Sequence, residues 1–203
     1  MKTARHTILT TLLLAALLAA GAAAAQDGRW LIGVDGLSSF VDDNNDEDLV
    51  SIEEKAGGAA LQFGYRFSPA FLLRLYAGGA DHATNVGDIE IRFIGSLVEG
   101  VYLFRDGRDF RPYLFGGIGG FKLESQQDAL LFDVEGAGIS FGTGAHYLVS
   151  DGVSFHGSLR LEAVNWSKVT VTYSDPGGDV AIETPVEESG FASKLSFGVA
   201  FWL

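Results

Sequence analysis

Residues 153–163 read Val-Ser-Phe-His-Gly-Ser-Leu-Arg-Leu-Glu-Ala, and this stretch carries the pattern that decides the fold. Apolar side chains and one glycine take the odd positions, whereas serine, histidine, arginine and glutamate take the even ones. Because successive side chains of a β-strand point to opposite faces, the alternation predicts a strand with one apolar and one polar face. Residues 59–68 repeat the pattern, with Ala59, Leu61, Phe63, Tyr65 and Phe67 on the apolar face.

The same alternation recurs along the chain and predicts an all-β protein. Beyond residue 25, no segment has an apolar stripe at helical period or approaches ~20 consecutive apolar residues, so transmembrane helices are not expected. Turn residues divide the chain into eight predicted strands: 29–41, 57–68, 70–80, 89–104, 111–124, 134–149, 152–166 and 190–203.

The connections between these strands alternate in length. Short turns are predicted at 68–70, 105–108 and 150–152; longer connections are predicted at 42–56, 81–88, 125–133 and 167–189. Short turns at one end and long loops at the other are typical of an eight-stranded antiparallel up-and-down transmembrane β-barrel. A soluble periplasmic β-barrel or sandwich that binds a small ligand shows the same alternation and is the alternative fold.

The composition of the two faces favours the transmembrane barrel. The apolar faces carry aromatic and aliphatic side chains over about ten residues, the length of a tilted strand that crosses the hydrocarbon layer. The opposite faces mix both signs of charge with glycines, which suits a narrow lumen packed by side chains. We therefore predict a structural polar network in the lumen, made of Gln62, Arg66, Arg74, Lys122, Glu124, His146, His156, Arg160, Glu162 and Lys194.

The N-terminal region predicts export. Residues 1–25 have two basic residues, an apolar segment and an Ala-Ala-Ala end, which together are typical of a cleaved signal peptide, so the barrel domain is expected over 26–203. The remaining chain has twelve basic and twenty-six acidic residues, a net charge of −14 that argues against nucleic acid as a partner. The absence of cysteine excludes disulfides and a lipid-modified cysteine anchor.

Residues 111–120, Arg-Pro-Tyr-Leu-Phe-Gly-Gly-Ile-Gly-Gly, follow Val-Tyr-Leu-Phe at 101–104 and a short polar turn. This segment resembles the outer-membrane β-barrel domain family that includes OmpA-like and OmpX-like small barrels. The resemblance implies a bacterial outer-membrane location, contact with membrane lipids and lipopolysaccharide, and a side-chain-filled interior without an open pore. The alternating strand up to Leu203 resembles the C-terminal strand that the outer-membrane assembly machinery recognises. We expect a monomer.

Two groups of residues raise the question of a specific chemistry. Residues 42–54 carry seven carboxylates, and five of their side chains have calcium-loop spacing; however, Glu47 stands where that loop needs glycine, which favours a solvated acidic loop. His156 and Ser158 resemble the His-x-Ser motif of lipid A deacylase barrels, with Glu162 nearby. These residues occupy even positions, like Arg160, and are therefore expected to face the lumen. A structural network is preferred to a lipid A deacylase for this reason. No catalytic residue or cofactor is expected.

The long connections are the expected sites of surface interaction. Residues 168–184 are predicted to form a hairpin around a Pro-Gly turn, so that the last two strands continue above the membrane. Such a protruding sheet either binds a foreign protein by strand addition, as in OmpX-like barrels, or is an ordered surface loop. We expect a surface partner to bind an acidic patch formed by the loops 42–56 and 167–189.

Glu99 breaks the predicted face pattern, and a β-bulge between Gly95 and Gly100 is expected to turn it inward.

Overall fold

The computed structural model describes residues 29–41, 55–84, 90–104, 109–127, 130–175 and 178–203. The predicted signal peptide, the acidic segment 42–54 and the turns at 105–108 and 176–177 lie outside these residues. The eight strands are β1 (Trp30–Val41), β2 (Lys55–Ser68), β3 (Phe71–Ala83), β4 (Glu90–Leu103), β5 (Phe110–Gln127), β6 (Leu130–Ser150), β7 (Val153–Asp175) and β8 (Gly178–Trp202).

The strands form one closed antiparallel barrel in which each strand pairs with the next. The ring closes between β1 and β8, where Leu31 pairs with Trp202 and Val41 with Ala192. At the end of this seam, Trp30 and Leu203 exchange two backbone hydrogen bonds of 2.9 and 2.8 Å. Closure leaves no free sheet edge along the paired part of the seam, which is the condition for a β-structure that spans a lipid bilayer. The predicted fold is therefore confirmed.

The outer surface of the barrel is apolar. Side chains that alternate with the buried ones are widely exposed, for example Ile118 at 67 %, Phe197 at 66 % and Leu61 at 61 %. An exposed aromatic and aliphatic band of this kind matches a lipid-facing wall rather than a solvated one. No helix within the described residues is long and apolar enough to cross a membrane.

The strands differ in height around the barrel. β1 has 12 residues and β8 has 25, and the increase runs through β5 to β8. The pairing of β7 with β8 continues from Lys168 opposite Pro185 to Asp175 opposite Gly178. This confirms the predicted hairpin within the connection 167–189. In the connection predicted at 125–133, most of the described residues also continue the sheet and do not form a loop. We call the part of β5–β8 above the other strands the upper wall; it comprises residues 122–127, 130–135, 168–175 and 178–185.

The lumen is filled in three layers. Near the tight turns lies an apolar cluster of Leu31, Leu72, Val101, Leu103, Tyr113, Phe115, Ala200 and Trp202. Near the long connections lies a second apolar cluster, which includes Leu37, Tyr76, Ala80, Phe93, Leu97, Phe121, Val164 and Ala192. Buried charged side chains lie between the two clusters, and we call this middle layer the polar belt. The described lumen is thus packed rather than open, as expected at eight strands.

Glycines of β6 make room for the aromatic side chains of β5. A Cβ atom on Gly142 would lie 2.5 Å from Phe115 Cζ, and one on Gly144 would lie 2.4 Å from Tyr113 Cζ. These distances are too short for ordinary contact, so the two aromatic rings occupy space that any larger residue on β6 would need. The glycines therefore position the rings that close the lumen below the polar belt.

Candidate functional site

The centre of the polar belt is Glu99 of β4, which binds two arginines. Arg74 of β3 donates from Nε to Glu99 Oε2 at 2.7 Å, and Arg160 of β7 donates to both carboxylate oxygens. Ser140 of β6 adds a hydrogen bond of 3.0 Å to Glu99 Oε1. The side chain of Glu99 has no solvent exposure. The carboxylate is therefore held by donors from three strands, which offsets the cost of removing it from water.

A second ion pair joins β7 and β8. Lys194 Nζ lies 2.8 Å from Glu162 Oε2, and both side chains are almost fully buried. Arg160 Nε lies 3.9 Å from the other oxygen of Glu162 and so connects this pair to Glu99. Arg160 also stacks over the Tyr76 ring, with its guanidinium carbon 3.8 Å from the ring centroid. The result is a continuous buried chain of charges across the barrel.

The third acidic group of the belt is Asp35 of β1. It accepts hydrogen bonds from the Gln62 amide and lies in contact with His156 Nε2. Gln62 in turn accepts from Arg74 Nη1 at 3.0 Å, so this group joins the Glu99 cluster. The belt contains the basic side chains of Arg74, Arg160 and Lys194 and the three carboxyl groups of Asp35, Glu99 and Glu162.

The histidines and serines of the lumen form hydrogen bonds that do not assemble a catalytic triad. Ser158 Oγ lies 2.7 Å from Ser196 Oγ, while His156 binds Asp35 and Gln62. His146 Nδ1 lies 3.1 Å from Ser154 Oγ, which also accepts from the Trp202 indole at 3.0 Å. These side chains are enclosed by the barrel wall and do not face lipid. Within the described ranges, no three side chains of metal-binding type lie close enough to hold an ion.

Seven of the ten side chains predicted for the lumen network are buried in the barrel: Gln62, Arg74, His146, His156, Arg160, Glu162 and Lys194. Arg66 is half-buried at the tight-turn end, where its guanidinium carbon lies 5.8 Å from the centroid of the Trp202 ring. It lies apart from the polar belt.

Lys122 and Glu124 require a correction, because the structure places them on the outer face of the upper wall. Lys122 Nζ lies 3.0 Å from both Glu124 Oε2 and Asp133 Oδ1, and the lysine side chain is 32 % exposed. The inward positions of this strand belong to Phe121 and Leu123, which pack against the upper apolar cluster. Polar side chains are confined to the lumen only where lipid covers the outer face of the barrel. Above the lipid, water covers the outer face, so polar side chains can point outward there. The prediction for Lys122 and Glu124 failed for this reason.

For two residues of the polar belt, Asp35 and Glu99, the sequence-based predictions were incomplete or partly wrong. Asp35 was missed, although its odd position in β1 shares a face with Leu31 and Leu37. Glu99 does face inward, but the predicted bulge is wrong: β4 pairs with β3 and β5 in continuous register from Ile91 to Leu103. The apolar side chains that share its face, such as Leu97 and Val101, also point into the lumen and belong to the two apolar clusters.

The upper wall has two faces of opposite character, which the strand register defines. Starting from the inward Phe121, its partners Gly136 and Trp166 also point inward, and the side chains then alternate row by row. At one irregularity, Ser167 of β7 is left out of the pairing, and so are Val186 and Glu187 of β8 opposite it. The outer face is mostly charged and polar: Lys122, Glu124, Gln126, Asp133, Glu135, Lys168, Thr170, Thr172 and Glu183, together with Leu131 and Ala181. The lumen-side face is mostly apolar: Leu123, Leu130, Phe132, Val134, Val169, Val171, Tyr173, Val180 and Ile182, together with Ser125 and Thr184.

Ion pairs cross the outer face of the upper wall. Lys168 Nζ lies 3.1 Å from Glu135 Oε2 and 3.6 Å from Glu183 Oε1. The hydrogen bond to Glu135, together with the charges of both carboxylates, raises the pKa of Lys168 above its ordinary value. With Lys122, Glu124 and Asp133, this surface has two lysines against four carboxylates, an excess of two negative charges.

These features together define an integral outer-membrane barrel with a packed interior and an upper wall that rises above the other strands. A family model described as the outer membrane protein beta-barrel domain matches residues 10–181. The chain therefore belongs to this family, and its location is the bacterial outer membrane. No curated protein sequence matches the chain at a significant level.

Solved structures of small outer-membrane barrels share the fold. Neisserial surface protein A superposes with a TM-score of 0.60 at 16 % identity, over 86 % of this chain and 97 % of that one. Ail of Yersinia pestis gives 0.57 at 11 % identity, over 88 % of this chain and all of the other. OprG of Pseudomonas aeruginosa gives 0.54 at 13 % identity, over 88 % and 99 %. At these identities the likeness establishes the fold alone, and it is the family match that assigns the chain to the outer membrane instead of the soluble alternative.

Proposed function

We propose that this protein is a non-enzymatic surface-interaction barrel whose upper wall, together with the acidic residues of the segment 42–54, binds a partner that carries basic groups. The observation that carries the proposal is the outer face of the upper wall, where four carboxylates and two lysines form an exposed negative surface beyond the membrane. Exposed charges of one sign attract and orient a partner of the opposite sign.

A second acidic segment follows β1, the strand that pairs with β8 at the seam. Residues 42–54 carry seven carboxylates and follow β1, which pairs with β8 along the seam. Glu187 and Glu188 of β8 are also exposed. The negative charge of these residues, added to that of the outer face, favours a lysine-rich or arginine-rich partner, or a divalent cation that bridges to lipopolysaccharide. The structure of Ail with a heparin analogue, sucrose octasulfate, concerns an anionic ligand, for which the charge of this surface is unsuited.

The buried network supports a structural role for the lumen. Each carboxylate of the polar belt binds a cation or a hydrogen-bond donor, and the histidine and serine of the deacylase alternative bind other groups inside the barrel. Lipid A in the outer leaflet would have to reach side chains on the lipid-facing wall, where Phe155 and Leu159 stand instead. The lumen groups therefore stabilise the barrel, and the interaction surface lies above it.

The upper edge of β8 favours strand addition as a second candidate function. The pairing of β1 with β8 ends at Val41 and Ala192, whereas β8 begins at Gly178, so among the described residues the upper part of β8 has a partner only on the β7 side. An edge of this kind can pair with an extended segment of another protein. Pro185 lies within the edge and removes one donor, a feature that limits unspecific pairing.

The charge proposal is tested with a fluorescent lysine-rich peptide and the purified chain in neutral-lipid nanodiscs. We expect binding that weakens steeply between 50 and about 300 mM salt, because screening shortens the range of exposed charges to below about 10 Å. Glu135→Lys with Glu183→Lys should weaken binding at least tenfold. The matched control is Asp109→Lys with Asp151→Lys, the same charge change at the tight-turn end, which should leave binding unchanged.

The hairpin itself is tested by replacing residues 170–183 with Asn-Gly between Val169 and Thr184, which pair directly across the two strands. The shortened barrel should still show heat-modifiable migration on gels, since the exchange lies outside the membrane-spanning part. It should bind the peptide more weakly than the full chain. Peptide binding that is insensitive to salt, or equal in the full chain and in both wall variants, would refute the proposed function.

A further inference from the structure

The lumen-side face of the upper wall is unusual because it is apolar and exposed. Phe132 is 41 % exposed, Tyr173 is 48 %, and Val180 and Ile182 reach 59 % and 64 %. The pairing places these side chains in two adjacent rows, Phe132, Val171 and Ile182 in one and Leu130, Tyr173 and Val180 in the next. These residues lie above the lipid-facing part of the barrel, so lipid does not cover them as it covers Ile118 or Phe197.

This face leads down to a cavity at the mouth of the barrel. The cavity has a volume of about 190 Å³ and is bordered mainly by apolar side chains, among them Ile91, Phe93, Leu123, Val164 and Trp166. Its polar side chains are His82, whose Nε2 lies 3.3 Å from Ser39 Oγ, and Ser189. No carboxylate, lysine or arginine borders it within the described residues.

The floor of the cavity separates it from the polar belt. The rings of Phe93 and Phe121 stack with centroids 5.8 Å apart, and Trp166 lies edge-on to Phe93 at 6.2 Å. Below the Phe93 ring, Lys194 Nζ lies 4.3 Å from the ring centroid. A molecule in the cavity therefore meets an aromatic floor above buried charges, and it has no apolar route through the barrel.

From this geometry we propose that the barrel mouth is a binding site for an elongated, uncharged apolar molecule. One end of the ligand fills the cavity above Phe93, and the rest lies along the lumen-side face of the upper wall. Tyr173 lies four positions after Val169 in the strand. At the rise of a β-strand, the wall therefore extends this contact by about 13 Å. An apolar site with few polar groups is the usual composition of a small-molecule site. The ligand is captured at the cell surface and not conducted, and this site is distinct from the charged outer face.

The size of the cavity sets the end group that it can hold. A dry apolar cavity of about 150 Å³ accommodates a single benzene-sized ring. The cavity here is of similar volume, so it takes one ring or a short alkyl end, and larger fused ring systems are excluded. Because no lysine or arginine borders the cavity within the described part of the chain, a carboxylate or phosphate end is expected to stay outside, in water above the wall.

The proposal is tested with N-phenylnaphthylamine, an uncharged elongated fluorophore, and the full chain in detergent-free nanodiscs. We expect saturable energy transfer from tryptophan at one probe per chain, over the linear background of probe dissolved in lipid. Val169→Asp and Leu123→Asp each place a carboxylate on the apolar path, and both should weaken binding at least tenfold. Thr170→Asp, one residue away on the outer face of the same strand, is the matched control and should bind like the unchanged chain.

All variants are first required to show heat-modifiable migration, and Thr170→Asp and Val169→Asp are expected to behave alike in this respect. Absence of a saturable component in the unchanged chain would overturn the proposal. So would equal binding by the Val169→Asp and Thr170→Asp chains. An apolar hexapeptide that binds in a Val169-dependent manner while the fluorophore does not would assign the face to a protein segment instead of a small molecule.

Discussion

Glu99 and Arg160 form an ion pair across the lumen, although their strands β4 and β7 are not neighbours in the sheet. Arg74 binds the same carboxylate from β3, on the other side of β4 from β5. The pair therefore connects opposite parts of the barrel wall through its interior. The paired strands already share their backbone hydrogen bonds, and the ion pair adds a cross-link of side chains at mid-height.

Glu99→Leu is predicted to destabilise the barrel strongly. The substitution leaves two buried guanidinium groups without their shared carboxylate, and breaking a buried pair in this way costs about 3–5 kcal/mol. The free energy of unfolding, measured by urea titration of the protein in lipid vesicles, should fall by this amount. Ser140 would also lose its acceptor.

An exposed ion pair of the same type serves as the control. Arg92 Nε lies 2.5 Å from Asp81 Oδ1, and both side chains are about half exposed. Asp81→Leu should change the unfolding midpoint little, because solvent-exposed pairs contribute little to stability. Equal effects of Glu99→Leu and Asp81→Leu would show that the polar belt has no special part in holding the barrel together.

The sequence was sufficient for the closed barrel, because alternation of apolar and polar side chains directly reports the two faces of each strand. The same pattern was insufficient above the membrane, where water covers the outer face. There the polar side chains point outward and the apolar side chains point inward. Lys122 and Glu124 were placed in the lumen for that reason, and Phe132 and Ile182 were not recognised as inward-facing. The pairing partners inside the lumen, such as Arg160 with Glu99, depend on three-dimensional closure that alternation does not encode.

Gly142→Ala is predicted to impair barrel closure. The added Cβ atom would lie 2.2 Å from the backbone oxygen of Leu159 and 2.5 Å from the Phe115 ring, so the β6–β7 pairing or the ring must move. Overpacking of a filled interior typically costs about 1–3 kcal/mol. The loss should appear as a lower urea midpoint and slower appearance of the folded, heat-modifiable band during refolding into vesicles.

Gly116→Ala, on the neighbouring strand, is the matched substitution. The nearest atom to a Cβ at this position is Ser140 O at 3.7 Å, which is ordinary contact, and the side chain would point outward. Its urea midpoint and refolding rate should stay close to those of the unchanged chain. If the two alanine variants refold alike, the glycines of β6 are not needed to seat Tyr113 and Phe115.

Ile118→Arg is predicted to prevent stable insertion into the membrane. Ile118 is 67 % exposed on β5 and pairs with the outward Ile139 of β6 and Val98 of β4, so it lies within an unbroken apolar part of the wall. An arginine near the bilayer midplane costs about 2–4 kcal/mol, and the cost falls toward the interfaces. Thr170→Arg, on the outer face of the upper wall, should carry almost no such cost.

The two variants are compared by urea titration in vesicles and by the amount of heat-modifiable protein in the outer-membrane fraction. Similar stability and yield for both would mean that Ile118 does not face lipid, and the placement of the membrane around β1–β8 would have to be revised.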